Sequence, residues 1–129
     1  MIEKKSLSDA LKRVTYLPNR TPEMAFNGGA KLAFSEVAPY RNGAISVGYY
    51  SGNSEWERHP GGDEIVMAIE GNTTVVLLVN GEQQRIELNA GELVVVPQSC
   101  WHRFEGSKLL KVLAVTPRPT DHSLDLPDA

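Results

Sequence analysis

The chain has 129 residues, 41% of them apolar, with 13 basic and 16 acidic side chains and a formal net charge of −3. That length suits one domain with one core. The mixed, slightly acidic charge speaks against nucleic acid as a partner, because phosphate binding needs a basic face. A single cysteine, Cys100, rules out an intrachain disulfide and fits a reducing, cytoplasmic setting. The N-terminus, Met1-Ile2-Glu3-Lys4-Lys5, lacks the apolar segment of a signal peptide. No apolar run is long enough to span a bilayer, so no membrane partner is expected.

Taken in order, residues 1–23 read as an N-terminal arm with a short helix. Leu7, Leu11 and Val14 share a helical face, and Ser6 or Ser8 is the cap. Pro18 and Pro22 end the helix and bracket a loop. From Met24 the pattern turns to strands: Lys31 to Val37, a loop from Pro39 to Gly43, then Ile45 to Tyr50. Ile65 to Ile69 and Thr73 to Val79 follow. Asn80-Gly81 is the strongest hairpin signal, leading into Glu82 to Leu88. Leu93 to Val96, Cys100 to Phe104 and Leu109 to Val115 complete a set of short strands with frequent turns, the pattern of an all-β sandwich or barrel spanning 24–115. The stretch 116–129, with Pro117, Pro119 and Pro127, reads as an extended tail.

Several strands are apolar on both faces, whereas a sheet wet on one side alternates. Either the opposing sheet, the helix and the tail cover those faces, or a homodimer does, and the dimer is the expectation here.

One stretch carries most of the chemistry: Trp56-Glu57-Arg58-His59-Pro60-Gly61-Gly62-Asp63-Glu64, followed after six residues by Gly71. Glu57 and His59 are two apart and point the same way on a strand. The tight turn between His59 and Glu64 brings the second carboxylate back beside the imidazole. His102 stands on a later strand. Such carboxylate and imidazole groups suit a divalent transition metal, with iron or manganese slightly ahead of zinc and nickel.

These residues resemble the two sequence motifs of the cupins, small double-stranded β-helix barrels of the jelly-roll type. The first motif, G-x5-H-x-H-x3–4-E-x6-G, is matched by Glu57, His59, Glu64 and Gly71. The second, G-x5-P-x-G-x2-H-x3-N, is matched by Gly91, Pro97, Ser99, His102 and Gly106. The stretch W-E-x-H-P-x-G-D-E is similar to a bacterial subgroup of single-domain cupins. Glu57 stands where the family has its first histidine, Ser99 replaces a glycine, Gly106 replaces an asparagine, and Gly52 is one residue out of register with the leading glycine. The resemblance implies His59, Glu64 and His102 as metal ligands. Glu57 carries over by position only, as a fourth ligand, a general acid or base beside the metal, or an exposed structural residue. It also implies a metal-dependent enzyme acting on a small polar metabolite, of isomerase, lyase, decarboxylase or dioxygenase type. The alternative is a non-catalytic module, with or without metal, that binds a small sugar or organic acid.

Tyr49 and Tyr50 end a strand ahead of the cluster, and one of them must face inward. Tyr50 is therefore a second candidate, with Glu57, for proton transfer. Trp56 is expected to face away from the metal, Cys100 to line the lumen as a small apolar residue, Arg103 to face outward, and His122 to be solvated.

Overall fold

In the computed structural model, which describes residues 1–128, the chain winds nine strands into a barrel around one principal core. Ala129, the last residue of the expected tail, lies outside the described residues. The elements run α1 (Leu7–Lys12), β1 (Leu17–Arg20), α2 (Met24–Asn27), a 3-10 turn (Lys31–Ala33), β2 (Phe34–Tyr40), β3 (Gly43–Gly52), β4 (Trp56–Arg58), β5 (Glu64–Val79), β6 (Glu82–Asn89), β7 (Leu93–Val96), β8 (His102–Pro117) and β9 (Asp121–Ser123). This is the expected all-β jelly-roll barrel with a short N-terminal helix. Among the described residues, no helix is long and apolar enough to cross a membrane.

Two long antiparallel strands, β5 and β8, form the spine. β8 also pairs with β3, and β5 with β6 and β7. Each spine strand joins two stretches that read in the sequence as separate strands. Gly71 and Gly106 bend the chain without ending it, and the register of β5 against β8 shifts between Ala68 and Thr74. Such irregularities sharpen the local twist, which lets one strand serve both sheets of a barrel. The hairpin at Asn80-Gly81 forms as read: both residues have positive φ, 52° and 79°, which a two-residue turn of this hand requires, and Val79 pairs with Glu82.

Other boundaries differ from expectation. Lys31–Ala33 is a 3-10 turn rather than the start of a strand, and β2 runs on to Tyr40 through the expected loop. Leu17–Arg20 is a strand, parallel to β3, at a place where Pro18 signalled a break. Proline is tolerated there because a single-neighbour edge strand leaves amide positions with no ladder bond to make. The expected tail also joins the sheet, since Asp121–Ser123 pairs with Trp56–Arg58. Ser6 is the helix cap, its hydroxyl accepting from Asp9 N–H at 3.2 Å.

The double-sided apolar strands have two explanations. Val66, Ala68, Val75, Leu77, Leu88, Val96, Leu110 and Val112 fill the principal core. Val76 and Leu78 point the other way and pack with Trp56 and Trp101 in a second, smaller cluster. Trp56 thus faces away from the lumen, as expected. The outward residues of the other strands stay open: Ile65, Val95 and Leu93 are 39%, 51% and 56% exposed.

Candidate metal centre and cavity

Three strand ends meet at one end of the barrel. His59 follows β4, Glu64 opens β5 and His102 opens β8. Glu57 pairs across to His102 in the β4–β8 ladder, which brings the two sequence motifs together. The turn from His59 to Asp63 is clamped by the loop that carries Pro97 to Ser99. Gln98 N–H donates to Asp63 Oδ1 at 2.7 Å, the Gln98 side-chain amide donates to Pro60 O at 2.7 Å, and Ser99 N–H donates to His59 O at 3.2 Å.

All three side chains are buried. Glu64 Oε1 lies 3.2 Å from His59 Nε2 and 3.0 Å from His102 Nε2. None of these three atoms has a hydrogen bond of acceptable geometry. The other atom of each group is already engaged. His102 Nδ1 donates to the Cys100 carbonyl at 3.0 Å, His59 Nδ1 is 3.0 Å from Thr120 Oγ1, and Thr116 Oγ1 donates to Glu64 Oε2 at 2.6 Å. A carbonyl can only accept, so His102 carries its proton on Nδ1 and turns a lone pair toward the carboxylate. Buried groups left unpaired cost about 1–3 kcal/mol each. A cation shared by the three removes that cost.

The spacing fits as well. Donors about 2.1 Å from a metal and at right angles to one another lie about 3.0 Å apart. Two imidazoles and one carboxylate on one side of an ion, with the remaining positions open, form a set suited to non-haem iron(II). Burial alone would push Glu64 up, but its contacts with His102 and His59 override that and hold it down to about 2. Burial would lower His102, but the Glu64 contact wins and raises it.

Glu57 is placed apart from this trio. Its carboxylate groups with those of Glu55 and with His122, the ligating atoms all within 4.8 Å of one another. Burial pushes Glu57 up, and the charges of Glu55 and Glu64 push it further. Glu64 of the trio and all three members of the second group line a cavity of about 420 Å³. Thr116 lines it too, and Phe104, Val112 and Ala114 form apolar wall. Tyr50, not Tyr49, is the inward tyrosine: it is fully buried, lines the cavity, and its hydroxyl has no hydrogen-bond partner. Burial, opposed by Arg20 and assisted by Glu57, pushes its pKa to about 12, so at neutral pH it is a donor.

Several expectations about other residues change. Cys100 is not part of the cavity wall; it packs at the margin of the core, with Sγ 3.5 Å from Leu78 O, and burial pushes its thiol up. His122, expected to be solvated, is 40% exposed but holds Glu55 through Nδ1 at 2.6 Å. Arg103 faces outward, stacked over Trp56 at 4.9 Å and paired with Glu105 at 2.8 Å. Sequence reasoning passed over Arg20, Glu55, Thr116 and Thr120. Glu55 was signalled, since it precedes Glu57 and His59 at the same two-residue interval. Arg20 had no local signal, because a parallel strand pairing brings it in from afar.

A jelly-roll barrel with two imidazoles and a carboxylate converging beside an interior cavity defines a metal-site β-barrel class. Residues 49–116 match the family model described as the Cupin domain, and the chain belongs to that family. No curated protein matches the sequence. Solved structures share the fold at low identity. A cupin-2 domain containing protein from Shewanella frigidimarina is 23% identical, with 72% of this chain and 92% of that chain covered and a TM-score of 0.58. Hydroquinone 1,2-dioxygenase in complex with Cd2+ and 4-hydroxybenzonitrile is 18% identical, with 65% and 63% covered and a TM-score of 0.57. The same activity from Sphingomonas sp. TTNP3, with 4-hydroxybenzoate bound, is 20% identical, with 69% and 65% covered and a TM-score of 0.55. This chain thus spans less than two thirds of either dioxygenase chain.

Proposed function

We propose that this protein is a divalent-metal-dependent enzyme that acts on a small organic molecule held in the cavity. The observation that carries the reading is the set of three buried, unpaired ligand atoms, His59 Nε2, Glu64 Oε1 and His102 Nε2, gathered beside the cavity. Iron(II) fits that donor set best, with manganese next. Bound there, the ion would supply Lewis acidity and a meeting place for substrate and a second reactant. The chain's own groups do the rest. Thr116 and the Cys100 carbonyl hold Glu64 and His102 in their ligating orientation. Glu57, a half-buried carboxyl that lines the cavity, exchanges a proton with the substrate, and the Tyr50 hydroxyl donates to a substrate oxygen. The hydroquinone dioxygenases share this fold, and their type of chemistry, oxygen insertion into a small phenolic molecule, is one the site accommodates.

The test is turnover on a panel of small keto acids, phenols and sugars, before and after chelation and reloading. The reading predicts activity that disappears with the metal and returns with it. Glu57→Gln should retain the metal while kcat falls by about 10²–10⁴-fold. Turnover that is indifferent to chelation contradicts the metal dependence, and metal-loaded protein that turns over nothing on the panel contradicts the enzyme reading and leaves a ligand-binding module. We also infer a homodimer, joined through the open apolar face around Ile65, Leu93 and Val95.

A further inference from the structure

Arg20 is the one strongly basic side chain buried beside the cavity among the described residues. It ends β1, is 7% exposed, and lines the cavity. Its position is set by backbone. Asn53 N–H donates to the Arg20 carbonyl at 2.9 Å. Gly52, with φ of 111°, allows that approach, since a Cβ there would run into the Arg20 backbone.

The guanidinium lies near two aromatic rings, 4.5 Å from the centroid of Tyr50 and 5.1 Å from that of Phe34. These contacts fix its plane. It makes a single side-chain hydrogen bond, from Nη2 to Glu55 Oε1, and that bond is long at 3.3 Å. A guanidinium has five N–H donors in a fixed fork. A purely structural pair would use that fork in two parallel bonds of about 2.7–2.9 Å. Glu55 is moreover shared, its other oxygen bonded to His122 at 2.6 Å. Arg20 is thus held rigid and buried, with most of its donors uncommitted.

The cavity carries charge of both signs. Arg20 and Lys31 are the basic side chains that line it, Glu55, Glu57 and Glu64 the acidic ones, and His122 is bonded to Glu55. Phe104, Val112 and Ala114 supply the apolar wall. We propose that Arg20 is a carboxylate anchor, and that the ligand is a small carboxylic acid with an apolar body, its acid group on Arg20 and its reacting group toward Glu64. A planar carboxylate matches the free edge of the guanidinium. This names the substrate class for the metal-dependent reading above and rests on that reading for the reacting end only.

The experiment is calorimetric titration with phenylacetate and its uncharged isostere phenylacetamide. It uses the protein as purified and after chelation, with metal content measured on the same samples. The acid should bind about 10–100-fold more tightly than the amide in both samples. Arg20→Gln should remove that preference, weakening the acid far more than the amide, while Arg20→Lys, which keeps a cation beside Glu55, should retain part of it. Equal affinity for acid and amide in the wild type overturns the proposal even if the variants do not fold. A preference that vanishes on chelation and survives Arg20→Gln places the carboxylate on the metal instead, which overturns the anchor and leaves the metal reading standing. A preference that persists in a protein found to carry no metal supports the anchor and removes the metal.

Discussion

His102 illustrates how a single side chain is prepared for a ligand role. The Cys100 carbonyl fixes its proton on Nδ1, so Nε2 faces Glu64 with a lone pair. A metal must displace any proton from Nε2, and the contact with Glu64 raises His102 above the ordinary 6.5 despite burial. Protons therefore compete at higher pH than for a free imidazole. Metal affinity should fall as pH drops through the histidine range, with the decline beginning above the ordinary 6.5. Glu64, held down to about 2, stays ionised throughout that window. Metal titrations at several pH values read this directly, and an affinity flat across the window would contradict it. At this scale much was legible in the sequence, because Glu57, His59, Glu64 and His102 sit at motif spacing. What spacing did not show is the grouping of Glu57 with Glu55 and His122. That grouping depends on β9, which a proline-rich segment does not announce.

Among the elements, β9 and the residue before it have the greatest effect for their length. Thr120 and His122 alternate toward the site, and Asp121 turns out to pair with Arg58 at 2.8 Å. Thr120 is a positioning residue: its hydroxyl holds His59 Nδ1 and so aims Nε2 at Glu64. Groups of this kind typically tune metal affinity by about 10–100-fold. Thr120→Val should weaken metal binding by that factor without unfolding the barrel, and Thr120→Ser should restore it. Competition with a chelating dye measures the affinity, and far-ultraviolet circular dichroism checks the fold. Unchanged affinity in Thr120→Val would show that β4 and the clamped turn orient His59 unaided. β1 was equally hidden. Pro18 read as a break, yet the strand pairs parallel to β3 and delivers Arg20 to the cavity. Local pattern reports turns and alternation well, and the hairpin at Asn80-Gly81 formed as read. It carries little information about which distant strand a short edge segment will choose.

For the whole molecule, strands that are apolar on both sides need both faces covered, and the barrel covers only some of them. In the β7–β5–β8 sheet, Ile65 lies opposite Val95 and Val115, and Met67 lies opposite Leu93 and Leu113, which makes two apolar rows across three strands. Open apolar patches of this kind mark interaction sites, and a symmetric copy is the commonest partner. Sedimentation velocity should therefore give a dimer, and Leu93→Glu should give a folded monomer. A monomeric wild type at micromolar concentration would contradict the dimer. The charge of the molecule is weakly acidic overall, with buried charge gathered at the cavity and the candidate metal site.

We read the convergence of His59, Glu64 and His102 as a site that holds a metal. Its most direct test is elemental analysis of protein purified without chelators, together with His59→Ala and His102→Ala. The wild type should carry about one transition-metal ion per chain, and the variants should be folded and have lost it. A wild type without stoichiometric metal, with both variants equally well folded, would contradict it.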